Sequence, residues 1–345
     1  MNVKKTPAQA RKSAPAPRSR STTLHDVAAK AGVSLVTASR ALRSPAIVSA
    51  ETLARVQRAV EATGYIPNLL AGGLKSRRSM TVGALVPFIG VPQFLPTVQT
   101  LTAELDGAGY QLILGQTGYD RAREAALVET MLGRRVDGLV IAGLLKSTSL
   151  SRRLRDLAVP VVETWDLTER PLDMLVGFSH LRVGSAVGGF FLAKGWRRVG
   201  VATGDDERAL SRRDGFAAAI GRDVPTALVK APSNLALGRS ALAELLRREP
   251  RLRAVFCSSD GLASGVLTEA RARGLRVPED LAVVGFGGAD FAAYLEPSLT
   301  TVHVDGSAIG AQAARLLLAR CRGEEVAQPV VDVGFSIVER RSTAG

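Results

Sequence analysis

Cysteine is almost missing from this sequence: Cys257 and Cys321 are the only two in 345 residues. Two thiols cannot build a disulfide framework, so both are expected to be free and buried. Histidine is equally sparse, and His25, His180 and His303 stand too far apart for a metal-ligand motif. No apolar run approaches the roughly 20 residues of a membrane-crossing helix, and no secretory leader follows Met1. A cytoplasmic protein is therefore expected. G-x-S-x-G, G-x-G-x-x-G after a strand and Walker A sequences are all absent, which argues against an enzyme and against a cofactor.

Acids are missing where bases collect. Residues 1–22 hold six bases and no acid, and residues 23–78 hold eight bases against three acids. These two stretches carry +11 of the formal +13, leaving +2 for everything after Arg78. Charge concentrated in the first quarter of a chain points to a polyanionic partner for that part alone. Residues 1–21, mostly Ala, Pro, Lys, Arg and Ser, read as a disordered basic tail, and its prolines at 7, 15 and 17 disfavour an amphipathic targeting helix. The chain as a whole is 46% apolar and long enough for two or three domains.

In "DVAAKAGVSLVTASRAL", Leu24, Val27, Ala28 and Ala31 form one apolar stripe on a first short helix. Gly32 is suited to the left-handed turn that ends it, Val33 tucks into that turn, and Ser34 caps a second helix. There Ala38, Ala41 and Leu42 face inward while Leu35, Val36, Ser39 and Arg40 face out. Two exposed aliphatic side chains with an arginine one turn on suit a DNA major groove, where aliphatics meet thymine methyls and arginine pairs with guanine. A third helix starts at Ser49, buries Leu53, Val56 and Val60, and ends at Gly64. This is a helix-turn-helix domain.

"TLHDVAAKAGVSLVTASRAL" with "VSAETLARVQRAVEATGYIPNLLAGGL" resembles the LacI family of bacterial transcription regulators, departing mildly at Ala38, where the family more often has Val. The resemblance places Leu35, Val36 and Arg40 at base-reading positions and Thr23, Ser34, Thr37 and Ser39 at phosphates. In "YIPNLLAGGLKSRRS", Pro67 starts a helix well and Leu70 and Leu74 share a face. Gly72 and Gly73 each weaken a helix by about 1 kcal/mol relative to Ala, so the segment is expected to fold only when held. In the resembling family it is the hinge helix, paired across a homodimer in the minor groove, with the leucine matching Leu74 wedged into a base step. The set expected at double-stranded operator DNA is completed by Ser49, Asn68 and Ala71.

After Met80 the pattern alternates strand and helix. "VGALVP", "QLILGQT", "DGLVIAG" and "VPVVETWD" read as one set of parallel strands, and "RRVGVATG", "ALVKAP", "AVFCSSD" and "LAVVGFGG" as a second. Two doubly wound α/β lobes follow, the architecture the family shares with periplasmic binding proteins, with ligand at the carboxyl ends of the strands. The expected division is a tail at 1–21, the helix-turn-helix domain at 22–66, hinge helix and linker at 67–78, and an effector-binding and dimerisation core at 79–345. The first lobe takes about 79–177 and 304–325, the second about 178–303 and 326–345.

Strand ends offer Pro87, Phe88, Glu163, Asp166, Ser259, Asp260 and Gly287 to the cleft. Arg212, in "SRRDGF", matches the family's effector-contacting arginine, a rigid fork able to hold a carboxylate or two hydroxyls. After "LAVVG" the family usually carries an Asp that grips sugar hydroxyls; here that position is Gly287, which favours an anionic ligand. Ser233 stands where some members place an aromatic ring. "GQTGYDRAREAALVETML" and "PVVETWD" further resemble the gluconate-operon repressors of the family. The resemblance thus implies a regulator, most simply a repressor, of a carbohydrate-utilisation operon, with gluconate or a related sugar acid as effector. A neutral sugar or other metabolite is the alternative effector. A solute-binding protein is the distant alternative, and it would need a signal peptide and no helix-turn-helix.

Overall fold

Two units divide the chain, residues 1–77 and 78–345, and the computed structural model describes residues 22–66 and 78–344 of them. The expected basic tail, and Asn68, Ala71 and Leu74 of the expected hinge helix, lie outside the described residues.

The first unit packs three helices, α1 (Leu24–Ala31), α2 (Leu35–Arg43) and α3 (Ala50–Thr63). Gly32 ends α1 at φ +62°, and its N–H bonds back to the carbonyls of Ala28 and Ala29. The Ser34 hydroxyl then accepts from the Thr37 N–H to start α2, and Ser49 does the same from Thr52 for α3. Val27, Ala31, Ala41, Val56 and Ala59 form the small core. The Arg55 guanidinium donates to the carbonyls of Ala31 and Gly32, so this base holds the α1–α2 turn. A short 3-10 turn, Pro45–Ile47, lies between α2 and α3 and was not expected from the sequence.

The second unit holds two sheets. The first is built from β1 (Thr81–Val86), β2 (Gln111–Gln116), β3 (Gly138–Ala142), β4 (Val161–Thr164), β5 (Met174–Gly177) and β11 (Val330–Asp332), ordered β11-β5-β4-β3-β1-β2 and wholly parallel. The second is built from β6 (Val199–Gly204), β7 (Thr226–Val229), β8 (Ala254–Cys257), β9 (Ala282–Gly287), β10 (Thr300–His303) and β12 (Ser336–Val338), ordered β12-β10-β9-β8-β6-β7, parallel except for β12. The central strands are buried along both faces, as helix-covered parallel sheets require.

The helices covering them are α4 (Leu95–Gly107), α5 (Arg121–Gly133), α6 (Thr148–Asp156), α7 (His180–Ala193), α8 (Glu207–Ile220), α9 (Leu235–Arg248), α10 (Asp260–Ala272) and α11 (Gly306–Arg322). From β10 the chain crosses to the first lobe, where α11 packs on α4 and the Thr97 hydroxyl donates to the Gly306 carbonyl at 2.8 Å. The return differs from the expectation. Residues 330–332 pair with β5 in the first sheet, and only 336–338 rejoin the second, so the crossing falls between these strands and not near 326. Three-residue strands are too short to carry a readable period, which is why both escaped the sequence pattern.

Candidate functional site

On α2 the buried face is Ala38 and Ala41, and the opposite face presents Leu35 at 37% exposure and Val36 at 59%, with Arg40 exposed beside them. Aliphatic groups held this far into water are unfavourable by roughly 25 cal/mol per Å², which marks the face as one waiting for a partner. Ser39 is half-buried, and the Ser34 and Thr37 hydroxyls lie 2.8 Å apart at the helix start. The Thr23 hydroxyl donates to the Asp26 carboxylate, as does its own backbone N–H, both at 2.7 Å. Ser49 is exposed and caps α3.

In the second unit two adjoining cavities lie at the carboxyl ends of the strands, of about 90 Å³ and 480 Å³. Tyr119, Asp206, Arg208 and Ala231 line both. Arg212, Ser233, Ser259, Asp260 and Gly287 line the smaller, and Pro87 and Asp166 the larger.

Arg212 organises the smaller cavity. It is 4% exposed, its Nη1 donates to His180 Nδ1 at 2.8 Å, and its Nη2 donates to the Ser258 carbonyl at 2.9 Å. The Phe286 ring lies under the guanidinium, 3.9 Å from its carbon. Its Nε is buried with no hydrogen-bond partner among the described residues. Burial lowers the arginine's pKa to about 10, so it remains charged at neutral pH. His180 opens α7 and is held well below its ordinary value, by burial first and by Arg212 and Arg208 next. Its Nε2 lies 2.9 Å from the Trp165 carbonyl, which can only accept, so the proton sits on Nε2 and Nδ1 is free to accept from Arg212. An aromatic row from Phe94 through Trp165 to Phe178 supports this floor.

Several expected residues take other roles. Glu163 does not face the cleft: it is 2% exposed, and its two oxygens accept from the N–H groups of Leu145 and Leu172. Burial raises its pKa even so. Phe88 reaches neither cavity; its ring packs 5.6 Å from that of Tyr119, behind the lining. Asp260 does line the cavity, but its carboxylate accepts from the Thr301 hydroxyl at 2.6 Å and the Ala289 N–H at 2.7 Å, bracing the turn after β9. Burial pushes its pKa up against those two bonds. Ser259 caps α10 and sits 2.8 Å from the Ser233 hydroxyl. Asp166 accepts from the Leu167 N–H, and its pKa is raised by burial.

Gly287 requires a correction. It adopts φ +127°, which side-chain-bearing residues avoid, and a Cβ there would lie 3.1 Å from Gln93 Oε1 and 3.6 Å from Asp260 Oδ2. Backbone geometry explains the glycine, and a carboxylate stands beside it in any case. Its lack of an acidic side chain therefore carries no argument for an anionic ligand.

His180 and Arg208 were not anticipated. His180 follows β5, a strand whose short apolar run was not recognised. Arg208 could have been found from its place one helical turn before Arg212 on α8. Among the described residues no helix is long and apolar enough to cross a membrane.

Residues 23–68 match the family described as bacterial regulatory proteins, lacI family, and residues 189–343 match a periplasmic binding protein-like domain. The HTH-type transcriptional regulator GntR of Pseudomonas aeruginosa is 36% identical over 330 residues, covering 93% of this chain and 95% of the relative. The crystal structure of transcription regulator GntR from Chromobacterium violaceum is 37% identical, with a TM-score of 0.74, covering 77% of this chain and all of that one. A LacI-family transcriptional regulator from Silicibacter pomeroyi superposes with a TM-score of 0.87 at 30% identity, covering 93% of this chain and 99% of that one.

Proposed function

This chain belongs to the lacI family of bacterial regulatory proteins and is a DNA-binding transcriptional regulator, not an enzyme; from that premise we propose that it represses a carbohydrate-utilisation operon under the control of a sugar acid. Gluconate or a close relative binds between the two lobes and changes operator affinity. The observation that carries a ligand site here is Arg212, a buried, charged guanidinium in the lining of the smaller cavity whose Nε has no hydrogen-bond partner among the described residues. A buried donor left unmade is unfavourable by about 1–3 kcal/mol, which a ligand oxygen relieves. The relatedness to GntR-type regulators supports the same ligand class.

At the DNA, α2 enters the major groove, Leu35 and Val36 meet thymine methyls, and Arg40 reads a guanine. Thr23, Ser34, Thr37, Ser39 and Ser49 lie toward phosphates. Asn68, Ala71 and Leu74 belong to a hinge helix in the minor groove, with Leu74 as the wedge. Two heads on a two-fold operator make the working species a homodimer, acting in the cytoplasm on chromosomal DNA.

A thermal melt with candidate ligands tests the effector. At a hundredfold excess over its dissociation constant, a ligand specific for the folded core stabilises it by about 2.7 kcal/mol. Gluconate-type acids are expected to raise the melting temperature and alter operator binding in a gel-shift assay, with glucose and ribose inert. Neutral sugars acting where the acids do not would overturn the sugar-acid assignment.

A further inference from the structure

Arg212 alone is a poor judge of charge. Two of its three nitrogens are committed to His180 and Ser258, and its face is covered by Phe286. Its Nε is the nitrogen left with no partner among the described residues, and a single N–H there suits a hydroxyl as well as a carboxylate.

Arg208 is differently placed. It lies one turn earlier on α8, so both side chains leave the same helical face, and it lines both cavities where Arg212 lines one. Its guanidinium carbon sits 5.5 Å from the Phe94 ring centre and 5.7 Å from that of Tyr119, which fixes its plane. Its Nη1, a terminal nitrogen bearing two N–H bonds, is buried with no hydrogen-bond partner among the described residues. Nor does Arg208 enter an ion pair there, although acids surround it. Glu207 is held by Arg121 and Lys146. Asp206 caps α8 through the Ala209 N–H, Asp205 accepts from Ala231, and Asp120 caps α5. Asp166 and Glu124 remain near it, both with their carboxyls pushed toward the protonated form by burial.

We propose that Arg208 is the residue that selects acid over neutral ligand: the effector's carboxylate lies against Arg208 Nη1, in the lining that the two cavities share, and its hydroxylated chain runs into the larger cavity beside Asp166 and Glu124. This rests on the sugar-acid reading above and assigns its charge recognition to a second arginine. An aldonic acid in open-chain form fits the arrangement, with the charged end at Arg208 and hydroxyl donors along the two carboxyls.

Calorimetric titration of the full chain with gluconate and with glucitol, its uncharged polyol counterpart, decides the matter. Wild-type protein is expected to favour gluconate by about tenfold to a hundredfold, the range of a charge-assisted hydrogen bond. Arg208→Gln should erase that gap and leave glucitol binding in place, whereas Arg212→Gln should weaken both ligands. Arg208→Lys retains charge without the planar fork and should narrow the gap, which keeps the test decisive if Arg208→Gln does not fold. An unchanged gap in the Arg208 variants, or equal loss of both ligands in Arg208→Gln, would overturn the assignment and leave the sugar-acid reading standing. Wild-type protein that binds no acid, or shows no preference, would overturn the sugar-acid reading and this assignment with it.

Discussion

Arg212 donates from Nη1 to Nδ1 of His180 at 2.8 Å, and His180 in turn donates its Nε2–H to the Trp165 carbonyl. The pair works only while the imidazole is neutral, because an imidazolium has no lone pair for Arg212 and adds a second positive charge beside it. The folded protein holds His180 well below 6.5, so the unfolded chain binds this proton first as pH falls. The stability from the neutral ring is fully present above about pH 6.5 and is lost below it. Denaturant melts across this range should fall off on the acid side, and His180→Gln should make the fall shallower. Effector affinity should persist below pH 6.5, because the folded protein keeps this ring neutral there. An acid limb unchanged by the substitution would show that other groups set it.

Arg40 should behave as a base reader. Arg40→Ala is expected to weaken the cognate operator by about 1–3 kcal/mol and relax preference at one base pair, as loss of a guanine contact does. Thr37→Ala should weaken cognate and random DNA alike. Competition gel shifts separate the two, and equal losses on both DNAs for Arg40→Ala would make it a backbone contact.

Packing of α7 on α8 positions both Arg212 and His180. A Cβ at Gly184 would lie 1.9 Å from the Arg212 carbonyl oxygen, and one at Gly215 would lie 2.1 Å from that of Leu181. Backbone atoms cannot yield as a flexible side chain would. Gly184→Ala should therefore separate the helices, destabilise the core by about 1–3 kcal/mol and weaken every cleft ligand. Calorimetric melting of the variant checks this; an unchanged transition would mean that the helices part at little cost.

Gly287→Ala supplies a control for any change of charge at that position. At φ +127° a side chain strains the backbone by about 1–3 kcal/mol. The alanine variant should lose stability and weaken acids and neutral sugars to the same degree. An alanine variant as stable as wild type would restore charge as the reason for the glycine.

The first unit was readable almost residue by residue, because each of its turns is marked by a residue chosen for a single physical reason. Gly32 supplies a left-handed φ, and Ser34 and Ser49 each satisfy a free N–H. The long strands of the core were equally plain, since burial on both faces leaves an apolar run. Short strands such as 330–332 left no such trace. In the cleft, the sequence pointed to Arg212, which lines the smaller cavity, but could not tell which strand-end acids look inward. Glu163 and Thr164 are neighbours on one strand, and only the fold reveals that Glu163 turns to the amides of Leu145 and Leu172. His180 stayed hidden because its partner lies 32 residues on.

The last strands give the carboxyl end of the chain an unusual responsibility. β11 finishes the edge of one sheet and β12 that of the other, both following α11 in the chain. A stop codon near residue 325 would strip an edge strand from both lobes at once and remove Ser342, whose hydroxyl donates to the Val283 carbonyl and accepts from the Thr300 N–H. Reporter fusions and affinity tags belong after residue 344, because even a modest trim behind α11 dismantles two domains simultaneously.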